Sequence, residues 1–215
     1  IDRDEACYLT EQMSGKLCVM HKWRYHQGIL ELARLAREEY LGCVTGLKTT
    51  RLGWGNPHMD VDPVWILLPH DLSIVLEILG YLPSPHTARY DRTSTGVHGM
   101  VGTLASKQHQ ISFEVSERSP INRRETVVFF EEGIAQLTNS YSESIEVYRT
   151  GPTELRSEPE IQHIDFDNEM PLLRELRTFT DYLRGDGPEP RSSVEEELGV
   201  IKTIWKLREM AGTKL

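Results

Sequence analysis

The sequence has few of the features that mark membrane proteins or nucleic-acid-binding proteins. No apolar run approaches the roughly 18 residues of a membrane span, and the first residues lack the basic-then-apolar pattern of a leader. The 24 Lys and Arg are outnumbered by 33 Asp and Glu, and the longest basic cluster is Arg123-Arg124. We therefore expect a soluble, cytoplasmic protein that binds neither nucleic acid nor a membrane.

Cysteine is also scarce. Cys7, Cys18 and Cys43 are odd in number and widely spaced, which favours reduced thiols over a disulfide framework. The chain opens at Ile1 rather than at a methionine, which is typical of a fragment. No Gly-rich phosphate loop, Gly-x-Ser-x-Gly elbow or metal-protease helix is present in the sequence.

One predicted loop has the residue types of a metal site. His58, Asp60 and Asp62 alternate there, with His70 as the only obvious fourth ligand. Nothing in the pattern directs these side chains to one point, and an acidic loop usually faces solvent or caps a helix. We therefore predict no metal site.

The most apolar stretch lies in the first half of the chain. Residues 72–79 are apolar on nearly every side, which predicts a helix that is covered all round. Pro69 suits the first helical turn and Gly80 the position after the last. This places His70 and Asp71 at the helix N-terminus, where the helix dipole lowers an imidazole pKa and favours an anionic or hydroxyl-rich ligand. The alternative is structural, with Asp71 complementing the dipole and His70 partly buried.

A second group of candidate ligand-binding residues comes after the first two predicted elements. These elements are a helix that ends at Met13 and a strand over residues 16–20. Residues 21–26 are rich in polar and aromatic side chains and precede a helix predicted over residues 28–41. Ligands of open α/β sheets lie beyond the strand carboxyl ends, so Lys22, Arg24 and Tyr25 could face one. Alternatively, the aromatic residues belong to the core and the basic residues are solvated.

The rest of the chain predicts an α+β fold with an open, mostly antiparallel sheet and helices packed on one face. Short segments in which apolar and polar residues alternate, joined by polar turns, indicate a meander with one polar face. That face either is exposed to water or packs against a second copy of the same sheet. Residues 154–162 are interpreted as an acidic loop. Strands are predicted over residues 43–52, 86–94, 100–106, 109–117, 126–131, 133–138 and 144–148, and amphipathic helices over residues 168–184, with Leu172, Leu173, Leu176, Phe179 and Leu183 inside, and over residues 193–211.

Several motifs in this order point to a known family. A strand ends in residues 19–26, a helix closes on residues 40–42, and Trp65 precedes His70-Asp71-Leu72 with four residues between. With the meander and its two helices, they resemble the C-terminal part of the Gfo/Idh/MocA oxidoreductases over essentially the whole chain. In that family an N-terminal Rossmann domain binds NAD or NADP, and the C-terminal domain supplies the substrate pocket and the oligomer interface.

The resemblance implies a division of the chain. Residues 1–22 would be the last helix and strand of a truncated Rossmann domain, and residues 23–215 the substrate-binding and oligomerisation domain. The cofactor-binding residues would lie mostly upstream of Ile1, and homo-oligomers would form through the sheet face. The implied substrates are sugars, inositols, nucleotide sugars or similar polyols.

The family's motifs also suggest site residues. Its strand-end motif, roughly Tyr-Asn-Tyr-Arg-Phe-x-Pro, falls on residues 21–27, and its active-site helix has an Asp four residues before a His, which here are Ile66 and His70. Asp71 or Asp62 is a conjectural substitute for the missing carboxylate. The resemblance thus implies His70 as the catalytic acid or base, with substrate-binding residues Lys22, Arg24, Tyr25, Trp65 and Asp71.

We therefore expect the substrate-binding half of an NAD(P)-dependent oxidoreductase, inactive as an isolated chain. The main alternative is a non-catalytic sugar-sensing or scaffold relative of the same fold, which Ile66 favours. A structural dimerisation domain, built on the sheet face, is a third interpretation.

Overall fold

The computed structural model describes residues 3–13, 18–55, 60–149, 160–167 and 169–212. They form one eight-stranded sheet with helices on one face, which confirms the expected fold class. In chain order the elements are α1 (Arg3–Met13), a 3₁₀ turn (Lys22–Tyr25), α2 (Gln27–Arg37), β1 (Val44–Trp54), α3 (Pro63–Leu79), β2 (Ser84–Thr93), β3 (Gly96–Ala105), β4 (Gln110–Ser116), β5 (Arg118–Phe130), β6 (Gly133–Leu137), β7 (Ser144–Arg149), β8 (Ile161–Asp165), α4 (Pro171–Arg184) and α5 (Val194–Met210).

The sheet is mostly antiparallel, but its strand order is not that of a simple meander. The order is β2-β3-β4-β1-β5-β6-β7-β8, and β1 runs parallel to β4. A helical connection allows this pairing, because α3 carries the chain from β1 to the far edge, from which β2, β3 and β4 return hairpin by hairpin. The consequence is that β1 occupies the centre of the sheet, with β4 on one side and β5 on the other.

The central helix α3 begins earlier than the sequence predicted. It starts at Pro63, whose preceding residue Asp62 caps it by accepting a 3.0 Å hydrogen bond from the Val64 amide. Pro69 therefore lies inside the helix, and Gly80 ends it with φ of +76°. The prediction that His70 and Asp71 lie at the helix N-terminus was wrong.

The helix α3 forms the middle of the core, as its all-round apolar pattern predicted. It packs on β1, β3 and β4 on one side and contacts α2 and α5 on the others. Val64, Leu68, Leu72 and Val75 are almost completely buried. A side chain on α3 is therefore held rigidly against the sheet.

Two strand predictions need correction. Residues 18–20, the described part of the strand predicted over residues 16–20, are not a strand, since no described strand lies beside them to complete the backbone hydrogen bonds. Residues 161–165, which follow the acid-rich segment and include part of the predicted loop, form β8 instead. This strand pairs antiparallel with β7 along five residue pairs, so an edge partner overrode a weak local pattern.

The helix α4 does not bury the face that its pattern predicted. Its leucines at positions 172, 173, 176 and 183 are 40% to 68% exposed, and α4 packs mainly against the 3₁₀ turn. The interpretation of these leucines as interior residues was wrong for the described fold, which offers no second surface to cover them. None of the described helices is long and apolar enough to cross a bilayer.

Candidate active site

The polar-aromatic segment after residue 20 folds as a 3₁₀ turn against the helix face of the sheet. His26 follows the turn and caps α2, because its Nδ1 accepts a 3.1 Å hydrogen bond from the Gly28 amide. Its other ring nitrogen lies 3.2 Å from the Ser140 carbonyl, and its ring stacks on Trp23 at 5.6 Å. Burial lowers the pKa of His26, so the turn is held by a neutral imidazole.

Arg24 and Tyr25 face inward and are hydrogen-bonded to other residues of the chain. The Arg24 guanidinium donates to Glu77 of α3 at 3.1 Å and to Glu196 of α5 at 2.6 Å. The Tyr25 hydroxyl accepts a 2.9 Å hydrogen bond from the Arg191 amide, and its side chain is 2% exposed. These two predicted substrate residues tie the turn to the helices that surround it.

Asp71 is likewise engaged. Both of its carboxylate oxygens accept hydrogen bonds of 3.1 to 3.2 Å from Arg51 of β1, and both side chains are buried. Burial raises the pKa of Asp71, and the Arg51 charge opposes that rise. The Arg51 guanidinium also lies 4.7 Å from the centre of the Trp23 ring. The pair fixes α3 to the sheet and leaves Asp71 no free oxygen for a substrate.

Trp65 and Asp62 hold α3 against α5. The Trp65 ring meets Trp205 edge to face at 5.5 Å. Asp62 caps α3 and also accepts a 2.6 Å hydrogen bond from Arg208. Neither the predicted substrate residue Trp65 nor the conjectured carboxylate Asp62 lines either of the two cavities that include Arg124.

The residues of the weak metal pattern do not form a metal site in the part of the chain that is described. Asp60 is exposed, and His58 lies outside the described residues. Among the described residues no group of three His, Cys, Asp or Glu side chains could hold a metal ion.

His70 differs from these residues because, among the described residues, its ring nitrogen Nδ1 has no hydrogen-bond partner. It lies one turn after Ile66 on α3, so the two share a helix face. The pKa of His70 is lowered to about 3, first by burial and then by the charges of Arg51, His21, Lys22 and Arg124. Its Nδ1 is buried without a hydrogen-bond partner among the described residues. The ring is therefore neutral at physiological pH and can accept a hydrogen bond or a proton.

A cavity of about 410 Å³ opens on the Lys22 and Arg124 side of this region. Its volume falls within the usual range of small-molecule sites, about 300 to 1,000 Å³. A smaller cavity of about 60 Å³ shares Arg124 and also includes Ile66, so Arg124 connects the larger cavity to the His70 face of α3. The larger cavity is lined by Lys22, Trp23, His26, Arg124, Ser140, Tyr141, Met170, Pro171 and Leu172.

Of the predicted site residues, Lys22 lines the larger cavity, and its charge contributes to the lowered pKa of His70. Sequence reasoning missed Arg124, because β5 was predicted to begin at residue 126 instead of at Arg118. It also missed Tyr141, which lies in the turn between β6 and β7. Arg124 keeps the period-two phase of the inward residues Thr126 and Val128, so extending the strand backwards would have placed it on the helix side.

Comparison with known proteins gives a fold but no close relative. No protein-family model and no curated protein matches the sequence. Three solved structures illustrate the similarity. UDP-N-acetylglucosamine 3-dehydrogenase from Acidithiobacillus ferrooxidans has 18% identity and a TM-score of 0.78, covering 97% of this chain and 66% of its own. An oxidoreductase from Agrobacterium radiobacter, solved with NAD+, L-tartaric acid and magnesium, has 17% identity and a TM-score of 0.79, with coverages of 99% and 68%.

The third is an aldose-aldose oxidoreductase from Caulobacter crescentus, complexed with glycerol. It has 14% identity and a TM-score of 0.74, with coverages of 91% and 61%. The chain thus spans about two thirds of the length of these structures. The expected resemblance to oxidoreductases of the Gfo/Idh/MocA type is confirmed at the level of the fold.

Proposed function

We propose that this chain is the substrate-binding half of an NAD(P)-dependent oxidoreductase that acts on a sugar, inositol, nucleotide sugar or similar polyol. The observation that carries the proposal is the partly buried, neutral His70, whose pKa is lowered in part by the charges of Lys22 and Arg124, together with the cavity that these two basic side chains line. A neutral imidazole is an acceptor for a hydroxyl proton, and the basic side chains are donors to oxygen.

The chemistry divides between the cofactor and the chain. When bound, a nicotinamide would supply the acceptor for the hydride, which is the hydrogen of the substrate C–H bond with its electron pair. As that bond breaks, the hydroxyl O–H bond also breaks, its proton passes to a ring nitrogen of His70, and a C=O bond forms. Lys22 and Arg124 hold the polyol, and the packed face of α3 keeps the imidazole in position. Reduction is the reverse, with protonated His70 as the acid.

The solved structures support this substrate class. One is named for a nucleotide sugar, one for aldoses, and a third binds L-tartaric acid together with NAD+. All three are oxidoreductases, and this chain has the fold of about two thirds of each. The sequence holds no Gly-rich loop for a dinucleotide, so NAD or NADP would be held mainly by another domain.

The same proposal assigns roles to the two ends of the described fold. Residues 1–22 would belong to a nucleotide-binding domain and residues 23–215 to the substrate domain. The partly exposed leucines of α4, such as Leu183 at 68%, would face that further domain.

The open sheet face, with Val101 45% exposed, would form a homo-oligomer interface. All three cysteines are free, which supports a cytoplasmic location.

The test is turnover by the protein at its native length, purified from its natural source or expressed from the complete reading frame. Formation of reduced nicotinamide is followed with NAD+ and NADP+ over a panel of sugars, inositols and nucleotide sugars. His70→Asn should lower kcat by about 10² to 10⁴-fold, whereas the control His86→Asn, an exposed histidine on β2, should not change it. Turnover by the 215-residue chain alone, or full activity in the His70 variant, would contradict the proposal.

A sensor or scaffold relative is the second candidate, and one observation favours it. Ile66 occupies the helix position that would bring a carboxylate next to His70, and the two nearest acidic candidates, Asp62 and Asp71, are bound to Arg208 and Arg51. A sensor would bind a polyol with no turnover, and His70→Asn would leave most of its affinity intact. Binding without turnover at native length would select this candidate.

A further inference from the structure

The charges around the larger cavity do not balance. Most buried arginines of the region have a carboxylate partner, as Arg24 does in Glu77 and Arg51 does in Asp71. Lys22 and Arg124 line the cavity, and neither forms an ion pair with any residue in the described part of the chain. Their positive charge is therefore available to a ligand.

The Glu175 carboxyl group of α4 interacts electrostatically with Lys22, but the two form no ion pair in the described part of the chain. Glu175 of α4 is 3% exposed, and its two oxygens lack a side-chain partner among the described residues. Burial raises the pKa of Glu175, whereas a hydrogen bond with the His21 backbone and the charges of His21 and Lys22 oppose that rise.

Arg124 lies opposite another arginine. It is the direct cross-strand partner of Arg51 in the β1–β5 pair, so both side chains are on the helix face of the sheet. Like charges in this position repel each other, and Asp71 forms its bidentate pair with Arg51 alone. Burial first, and then the charge of Arg51, lowers the pKa of Arg124. Such a guanidinium gains more than a solvated one from a bound anion.

The wall of the cavity adds a donor and an aromatic surface. Trp23 lines the cavity, and its Nε1 is buried without a hydrogen-bond partner among the described residues. Lys22 lies 5.8 Å from the Trp23 ring centre, so one face of the indole is next to a basic group. Flat aromatic walls with nearby donors are typical of sites for sugar-like ligands with polar edges.

We propose that this cavity binds the anionic group of an acidic polyol, a carboxylate or a phosphate, and that Arg124 and Lys22 determine this specificity. The inference rests on the proposed function, in which the cavity holds the substrate. It also bears on His70, whose pKa is lowered in part by the same cations. A bound negative charge would offset them and raise that pKa toward the value that proton transfer needs.

The test measures binding by the 215-residue chain without cofactor. Three probes share one ring but differ in charge: D-glucose is neutral, D-glucuronate carries a carboxylate and D-glucose 6-phosphate carries a phosphate. Affinity is measured by isothermal titration at low and high salt. We expect at least one acidic probe to bind about tenfold or more tightly than glucose, with an advantage that shrinks as salt rises. The two acidic arms distinguish carboxylate from phosphate.

Variants locate the effect. Arg124→Met should remove the advantage of the acidic probe over glucose, and Arg124→Lys should restore part of that advantage. Arg123→Met is the matched control, because Arg123 is the adjacent residue of β5, points to the opposite face and is paired with Glu125 at 2.8 Å. This control should bind like the unmodified chain.

Several outcomes would overturn the inference. The inference fails if all three probes bind with equal affinity or if neither acidic probe shows saturable binding. It also fails if Arg124→Met still prefers the acidic probe. Binding of glucose with no acidic preference would leave the proposed polyol function standing and remove only the anion site. If the protein at native length showed no turnover but the acidic preference remained, the proposed function would fail and the anion site would stand. Thermal unfolding of each variant confirms that it is folded.

Discussion

The ion pair between Asp71 of α3 and Arg51 of β1 offers a sharp test of how the central helix is held. Asp71→Asn keeps the size of the side chain, so it removes the charge without opening a cavity. Arg51 would then remain buried, near the Trp23 ring and opposite Arg124, with no anion to offset its charge. Removing one partner of a buried pair costs about 3 to 5 kcal/mol, against a typical total stability of about 5 to 15 kcal/mol.

Urea unfolding followed by circular dichroism measures this loss as a fall in the midpoint at an unchanged slope. The control is Glu38→Gln, which breaks the exposed pair with Arg34 and should cost less than about 0.5 kcal/mol. A double variant, Arg51→Met with Asp71→Leu, should recover most of the loss because no unpaired charge remains. If Asp71→Asn lost less than about 1 kcal/mol, the argument that this pair anchors α3 would be refuted.

Three further predictions concern titration, packing and assembly. The pKa of His70 is about 3 in the fold and about 6.5 when unfolded. The free energy of unfolding should therefore fall by about 1.4 kcal/mol per pH unit as the pH drops from 6.5 toward 3. Unfolding midpoints measured across that range should depend less on pH in the His70→Asn variant. Gly102→Ala should lower the free energy of unfolding by about 1 to 3 kcal/mol, because its Cβ would lie 2.6 Å from the Phe113 ring. The control Gly199→Ala in α5 meets nothing within 4 Å and should raise the melting temperature. Similar losses of stability in both variants would contradict this account of packing. Val101→Asp on the open sheet face should dissociate a homo-oligomer in light-scattering measurements, and an unchanged mass would rule out that face as the interface.

Elements with strong local signals were predicted well. The helix predicted over residues 193–211 is α5, which begins with a capping box of Ser193 and Glu196. The strand predicted over residues 109–117 is β4, in which the alternating residues Ile111, Phe113 and Val115 form the buried face. These signals depend on neighbours in the sequence, such as a side chain that reaches the amide three residues away. Their outcome therefore does not depend on the rest of the fold.

Predictions that depended on distant partners were less successful. The parallel pairing of β1 with β4 follows from the path of the whole chain, and β8 forms because β7 offers an edge. The start of α3 was misplaced because a proline inside a buried helix resembles one in the first turn. Tertiary packing compensates for its missing N–H, which a local pattern does not show.

The candidate site was only partly accessible from the sequence for the same reason. Lys22 and His70 were identified from residue types and from resemblance, yet Arg24 and Asp71 turned out to be bound to Glu77 and Arg51. Arg124 comes from a strand more than 50 residues after His70 and reaches the cavity only through the register of β1 with β5. Which charges pair and which remain unpaired is a property of that register.

The most direct test of the central claim is a crystal structure of the chain soaked with D-glucuronate, D-glucose 6-phosphate or myo-inositol. The account predicts ligand density in the cavity beside Lys22 and Arg124, with a hydroxyl within hydrogen-bond distance of the His70 ring. The chain offers a competing location, the cavity of about 150 Å³ lined by Cys18, Phe179 and Ser192. A polyol bound there, with the Lys22 cavity empty in the same crystal, would contradict the assignment of His70 and its neighbours as the site.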